Sequence, residues 1–286
     1  MIREATEADL QQCNNVWAST QVGLGDNPIP YQPLSAHELK TGRLVVADVD
    51  GEVVGFGGTL TRSGVLYLAD LFVIPAQQNR GLGRQLLKAL CVDHRGPLFT
   101  FASADPRAQR LYEQFSMRPV EQYHYLDARV DRLVAWATDV DLKSASPAEV
   151  LTVDAVITRR DRTADIDFAT QLGAAWYLAY RGDACLGVAA VAAPTWWSAW
   201  HPRGACVGPV VAHDPADVAP IMAAALSSLH RVDPVPDIVS MFCPASHDAL
   251  PALLAAGFEI IDTDLLMSSN PTLIDRRRYV PTVETP

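Results

Sequence analysis

Two glycines, Gly81 and Gly83, stand where a strand pattern gives way to a helix pattern. Residues 67–74 form a mostly apolar run, and Pro75 ends it because proline has no N–H to donate to a sheet. From Leu82 onward the apolar residues recur at the spacing of a helix. The first N–H groups of such a helix have no partner and its dipole is positive there, which favours a bound anion, above all a phosphate. Glycine lacks a Cβ, so the backbone can approach that ligand closely.

The spacing of these glycines excludes two common phosphate motifs. The phosphate loop of nucleoside triphosphatases needs four residues between its glycines and then Gly-Lys-Ser/Thr, and the chain has no such run. The dinucleotide fingerprint needs a third glycine at position 86, which is a leucine. Two alternatives remain for the segment: a different phosphate-binding loop, or a tight strand-to-helix turn without a ligand.

The run from Gln78 to Gly83 resembles motif A of the GCN5-related N-acetyltransferases (GNATs), which reads Gln/Arg-x-x-Gly-x-Gly/Ala. The segment from Asp105 to Tyr112 is similar to a later motif of that family, although Asp105 stands where asparagine is usual. The predicted elements also follow the family's order, including an antiparallel hairpin at Asp50-Gly51. The resemblance implies an α/β (α+β mixed sheet) fold, with a central mixed, mostly antiparallel sheet flanked by helices.

The second half of the chain repeats the pattern of the first. The strand–turn–strand pattern at 177–188 echoes that at 44–56, and a strand–helix pattern follows in both halves. A repeat of this length indicates two copies of one domain rather than a solenoid, and 286 residues fit two domains. We therefore predict tandem acetyltransferase (GNAT-like) domains at 1–128 and 147–286, joined by a linker at 129–146.

The second copy lacks the residues that carry chemistry in the first. Where the first copy has its two glycines, the second reads 213–217 without any glycine. Asp214 and Asp217 would cap and stabilise the helix that follows, but they would repel a pyrophosphate. The counterpart of Tyr112 falls near Leu253, which cannot transfer a proton. We therefore expect the second copy to be degenerate and non-catalytic.

Composition narrows the class of protein. The chain is 49% apolar, without a run near the ~20 residues of a membrane span and without the pattern of a signal peptide. Its five cysteines are scattered, with no Cys-x-x-Cys, which favours buried thiols over disulfides or a metal site. The net charge of −10 argues against nucleic acid and is compatible with a cationic acceptor. We expect a cytoplasmic protein without membrane or metal, either a monomer with an internal pseudo-dimer or a homodimer.

The resemblance implies acetyl-CoA as co-substrate, with direct transfer of its acetyl group to a primary amine. Loop amides would hold the pyrophosphate, and the strand backbone would face the pantetheine arm and polarise the thioester carbonyl. The residues expected to contact acetyl-CoA are Leu71, Phe72, Val73, Gln78, Asn79, Arg80, Gly81, Leu82, Gly83, Arg84, Asp105 and Arg107.

Two residues are the predicted catalysts. Tyr112 is the expected general acid for the departing thiolate; otherwise it is an aromatic packed between helix and sheet. Asp70 is the expected general base, or a binding group for a cationic acceptor; otherwise it is an acid hydrogen-bonded to backbone at a strand end.

Three functions are compatible with these residues. The first is transfer of an acetyl group to a small-molecule amine by the N-terminal domain. The second is N-acetylation of a protein or peptide, and the third is a non-catalytic module that binds acetyl-CoA. In the second half, Trp196, Trp197 and Trp200 form either a hydrophobic plug or a surface for an acceptor or partner.

Overall fold

A computed structural model of the chain describes residues 1–21, 33–134, 136–192 and 203–282, and these form two compact units. Unit 1 contains the described residues of Met1–Phe101, Pro106–Arg118 and Met267–Asn270. Unit 2 contains those of Ala102–Asp105, Pro119–Leu266 and the segment from Pro271 onward. The three tryptophans predicted to form a plug or a surface lie outside the described residues.

Unit 1 consists of helices packed on a mixed sheet. Its elements are β1 (Ile2–Glu4), α1 (Leu10–Thr20), α2 (Pro33–Thr41), β2 (Arg43–Val49), β3 (Glu52–Arg62), β4 (Val65–Val73), α3 (Leu82–Cys91), β5 (Leu98–Ala102) and α4 (Pro106–Glu113). The strands lie in the order β1-β2-β3-β4-β5, and only β4 and β5 run parallel. The β2–β3 hairpin turns at Asp50 and Gly51, whose φ angles of 54° and 88° are those that the predicted Asp-Gly turn requires.

Unit 2 repeats this plan. Its elements are β6 (Arg118–Arg129), β7 (Asp141–Ser144), α5 (Pro147–Thr158), α6 (Thr163–Gln171), β8 (Ala174–Arg181), β9 (Ala184–Ala192), β10 (Gly204–Ala212), α7 (Pro215–Ser228), β11 (Ile238–Pro244), α8 (Leu250–Ala255), β12 (Glu259–Ser268) and β13 (Tyr279–Val280). The strands lie in the order β12-β6-β11-β10-β9-β8-β7, with β13 also paired to β10. As in unit 1, one adjacent pair, β10–β11, is parallel and is connected through a helix, α7.

Each unit has its own apolar core. In unit 1, Cys13 and Val16 of α1 pack with Leu44, Val46 and Phe56 on one face of the sheet. In unit 2 the core is larger and centres on α7 and the fully buried strand β10. The mixed, mostly antiparallel sheet flanked by helices is therefore confirmed in both units. None of the helices in the described ranges has the length and apolar character needed to cross a bilayer.

The compact units do not divide the chain at the predicted residue 128. Strand β6 pairs with β11 along most of its length, from Arg129↔Ile238 to Tyr123↔Pro244, so from Pro119 onward it lies in unit 2. Residues 267–270 instead join unit 1, where the Ser269 N–H donates to the Leu98 carbonyl at 2.9 Å. The segment 129–146 expected to be a linker also lies in unit 2, because its residues 141–144 form β7 against β8. Strand pairing, rather than position along the chain, sets these boundaries.

Candidate active site

The loop between β4 and α3 presents a row of unpaired backbone donors. Gly81 is the N-cap of α3 with φ 78°, and Asn79 two residues earlier has φ 62°. Left-handed residues at this spacing turn successive N–H groups toward one side, which makes an anion-binding concavity. The first bond of the helix joins the Gln85 N–H to the Gly81 carbonyl at 3.1 Å. Among the described residues, none of the N–H groups from 79 to 84 has an acceptor.

The side chains of the loop add positive charge and leave room for a ligand. Arg80 and Arg84 are exposed and pair with no acid in the described ranges. Arg107, at the start of α4, reaches the loop, with its Nη1 3.4 Å from Oδ1 of Asn79. A Cβ placed on Gly83 would meet its nearest neighbour, a methyl group of Leu111, at an ordinary 3.6 Å. Packing therefore does not require glycine at position 83, whereas close approach of a ligand would.

Strand β4 has one edge that is only partly paired. Its pairing with β5 covers Leu66 and Tyr67, whereas its pairing with β3 continues to Val73. Beyond Tyr67 on the β5 side, the side chain of Thr100 donates to the Leu68 carbonyl at 2.8 Å, and Gln78 Nε2 donates to the Val73 carbonyl at 3.1 Å. Between these two bonds no strand of the described chain lies against this edge. The predicted backbone site at Leu71, Phe72 and Val73 lies on this stretch.

The predicted acid Tyr112 lies on α4, which packs beside the start of α3. Its side chain is 7% exposed, and the preceding residue, Leu111, is the nearest neighbour of Gly83. Tyr112, Asp70 and the loop therefore belong to the same unit. Asp105 immediately precedes α4 and is half-buried. The catalytic and binding roles of these residues stay predictions.

Asp70 faces a second carboxyl group that the sequence analysis missed. Glu38 of α2 is fully buried, and its carboxyl lies against Gly58, the cross-strand neighbour of Asp70 on β3. A Cβ on Gly58 would stand 2.0 Å from three atoms of that carboxyl, so a larger residue here would require the Glu38 carboxyl to move. A bulge between Leu68 and Asp70 breaks the β4 register at the same point. A glycine inside a strand signals close approach of another group, and this was the available sequence signal for Glu38.

The surroundings of the two carboxyls raise the pKa of both. Burial is the main cause, and it raises the pKa of Asp70 to about 7, although hydrogen bonds with Glu38 and Ser35 act in the opposite direction. The pKa of Glu38 is well above its usual range, first because of burial and then because of Asp70. Nearby on α1, burial together with three acids raises the pKa of the Cys13 thiol to about 12. An acid with a pKa near neutrality is suited to accept a proton at physiological pH.

The equivalent positions of unit 2 are occupied by the chain itself. Asp214 caps α7 by accepting from the Ala216 N–H at 2.9 Å, which confirms its predicted capping role, and Asp217 pairs with Arg181 at 2.8 Å. Strand β10 pairs with β11 near its start, and β13 then pairs with it at Val210 and Val211. Within the described residues, unit 2 therefore has carboxylates at the helix start and a covered strand edge. In the same ranges, no cluster of three or more His, Cys, Asp or Glu is arranged to hold a metal ion.

Comparison with known proteins shows which family and which folds the chain is similar to. Residues 10–117 match the sequence model of the acetyltransferase (GNAT) family, whereas curated protein sequences gave no match. A candidate acetyltransferase from Pyrococcus horikoshii is similar in structure, with 16% identity, a TM-score of 0.76, and coverage of 100% of this chain and 95% of that one. A tandem GNAT protein from the clavulanic acid biosynthesis pathway has 17% identity and a TM-score of 0.67, and the match covers 95% of this chain and 99% of that one. A GCN5-related N-acetyltransferase from Sphaerobacter thermophilus has 19% identity and a TM-score of 0.61, and the match covers 100% of this chain and 98% of that one. The chain thus has the fold of a tandem GNAT protein, and its residues 10–117 match the sequence model of the GNAT acetyltransferase family.

Proposed function

We infer that this protein is an N-acetyltransferase that uses acetyl-CoA to acetylate the primary amine of a small molecule, with its one active site in unit 1. The observation that carries this inference is the row of unpaired amides at residues 79–84, next to the open edge of β4. Unpaired amides at a helix start suit a pyrophosphate, and an unpaired strand edge suits the amide groups of a pantetheine arm. The basic side chains of Arg80 and Arg84 add favourable charge.

The residues of unit 1 supply the groups that the transfer requires. Acetyl-CoA supplies the acetyl group as an activated thioester. As the C–N bond to the amine forms and the C–S bond breaks, Asp70 takes a proton from the amine and Tyr112 gives one to the departing thiolate. In this proposal the backbone N–H groups at Leu71 to Val73 polarise the carbonyl, where negative charge develops. Asp70 gains one proton and Tyr112 loses one. Both residues return to their starting protonation states when Asp70 releases its proton to solvent and Tyr112 takes one up.

Unit 2 serves, in this proposal, as a structural domain without a second active site. A pyrophosphate at α7 would face Asp214 and Asp217, and β13 covers the strand edge that a pantetheine arm would need. We propose, as the sequence also led us to expect, that the protein is either a monomer with an internal pseudo-dimer or a homodimer.

Calorimetric titration with acetyl-CoA tests the site directly. We expect the wild type to bind one equivalent, and Gly83→Glu to lose binding by at least about tenfold, because a carboxylate would stand in the pyrophosphate site. The space beside Gly83 accommodates a side chain, so the variant is expected to fold. The matched control is Ala216→Glu, which puts the same carboxylate at the second residue of α7, as Gly83 is the second residue of α3, and should leave affinity unchanged.

Two equivalents bound to the wild type, or equal loss of binding in both variants, would contradict a single site in unit 1. A screen of amines with detection of released thiol then separates the alternatives. Turnover with small amines supports the proposal, and turnover with peptides alone would assign the protein to peptide acetylation. Binding without turnover on any amine would favour a non-catalytic module.

A further inference from the structure

In unit 1 two carboxyl groups, those of Glu38 and Asp70, are buried side by side. Ionising both would be unfavourable, and the general-base role of Asp70 does not by itself explain why they are paired. Glu38 is fully buried and Asp70 is 9% exposed, on α2 and β4 respectively. Two ionised carboxylates in contact inside a protein repel strongly, and each would also lose its hydration. Among the described residues no cation contributes to the electrostatics of either group. The pair is therefore stable only if it carries a proton.

The environment of each carboxyl indicates which of the two holds that proton. Within the part of the chain that the structure describes, neither oxygen of Glu38 accepts a hydrogen bond from an N–H or O–H group, so no donor there stabilises its ionised form. Asp70 is favoured as the ionised member because the Ser35 side chain hydrogen-bonds to it and because it keeps some exposure. A hydrogen bond between the two carboxyls needs a proton as donor. Neutral Glu38 is that donor, and Asp70 is the acceptor.

The elements packed around the pair contribute few other titratable groups. From α1 the titratable side chain is the thiol of Cys13, which burial keeps protonated at neutral pH. From β3 the neighbours are Gly58 and Thr59, which do not titrate. From α2 the groups that act on the pair are Ser35 and Glu38 itself. The neighbouring His37 is also buried, and its ring hydrogen-bonds with Arg62 and Thr41.

We propose that Glu38 is a positioning residue for acetyl transfer: it stays protonated, donates a hydrogen bond to the Asp70 carboxylate, and holds that carboxylate as the proton acceptor for the amine. This inference rests on the proposed function. When the amine attacks, its proton passes to Asp70, and Glu38 keeps its own proton throughout. Gly58 is part of the arrangement, because a Cβ at this position would displace the Glu38 carboxyl from its place beside Asp70.

The activity test compares two substitutions of nearly equal size. Glutamine at position 38 keeps a neutral donor, so Glu38→Gln should retain kcat/KM within about threefold and keep the acid limb of its pH profile. Methionine keeps the chain length but removes the donor, so Glu38→Met should lower kcat/KM by about tenfold or more and shift the acid limb upward by roughly one pH unit. Acetyl-CoA affinity should be unchanged in both, because neither touches the loop at 79–84.

Infrared spectroscopy tests the proton without any turnover. At pH 8 the wild type should show the C=O stretch of an un-ionised carboxylic acid, and Glu38→Gln should lack it, so the band should appear in the difference spectrum of wild type minus variant. Presence of this band supports a protonated Glu38 beside Asp70 even if no amine acceptor is found. The test of this inference is therefore distinct from the test of the proposed function. Absence of that band, or equal loss of activity in Glu38→Gln and Glu38→Met, would overturn it. If Glu38→Met does not fold, the band and the activity of Glu38→Gln decide the question.

Discussion

At the scale of single residues, Asp70 opposes the folding of its own unit at neutral pH. Burial raises the pKa of Asp70 from the ordinary value of about 4 for an aspartate to about 7. An acid whose folded pKa is raised binds its proton more tightly in the folded protein, so ionisation destabilises the fold as the pH rises above about 4. Once the pH passes the folded pKa, this cost reaches up to about 4 kcal/mol.

The substitution Asp70→Asn should therefore stabilise the protein at pH 8 while it abolishes acetyl transfer. We expect the free energy of unfolding to rise by up to about 4 kcal/mol at pH 8, and the gain to shrink to near zero by pH 4. Urea denaturation at several pH values measures this difference. A control is Asp167→Asn, an exposed acid of unit 2, which should change stability little at any pH. A gain that is the same at pH 4 and pH 8 would contradict a buried, ionising Asp70.

The residues of the loop were predictable from the sequence, whereas Glu38 was not. Gly81 and Gly83 act through local backbone geometry, and a strand–glycine–helix pattern reports that geometry directly. Glu38 acts through a contact with residues 20 and 32 positions further along the chain, and no local pattern reports such a contact. The sequence signal for this contact is Gly58, a glycine inside a strand that no turn explains.

At the scale of elements, the N-terminal ends of α3 and α7 differ in whether a side chain caps them. The start of α3 has a left-handed Gly81 as N-cap and leaves its first amides free, whereas Asp214 at the start of α7 accepts from the Ala216 N–H. A capped helix gains stability and loses its capacity to hold an anion. The uncapped start of α3 is therefore less stable than a capped one, and a bound anion would restore that stability.

Removal of the α7 cap should consequently affect stability and not ligand binding. We expect Asp214→Ala to lower the free energy of unfolding by about 1 kcal/mol, the usual cost of a lost side-chain cap. Acetyl-CoA stoichiometry should stay unchanged, because Asp217 and β13 still occupy the rest of the equivalent region. Urea denaturation and calorimetry on the same preparation check both outcomes. The appearance of a second equivalent of bound acetyl-CoA would show that Asp214 alone closes unit 2 to the ligand.

At the scale of the whole molecule, each unit is completed by a segment from the opposite half of the sequence. The repeat of strand and helix patterns predicted two copies of one fold, because those patterns are local. The exchange of segments was not predictable, because β6 pairs with a strand more than a hundred positions away and residues 267–270 hydrogen-bond to Leu98 at a similar or greater separation. The boundaries suggested by the repeat, 1–128 and 147–286, therefore cut through paired strands.

A fragment ending at residue 128 should for this reason fail as an independent protein, although it contains the whole candidate active site. It would carry most of β6 without β11, so Tyr123 and Leu126, both fully buried in the chain, would become exposed on an unpaired strand. We expect the fragment alone to aggregate, and co-expression with residues 129–286 to recover soluble protein that binds one equivalent of acetyl-CoA. Size-exclusion chromatography followed by calorimetry measures both. A soluble, monomeric 1–128 fragment with full affinity would instead mean that unit 1 does not need residues 267–270, and the second half would then have to be explained by a function of its own.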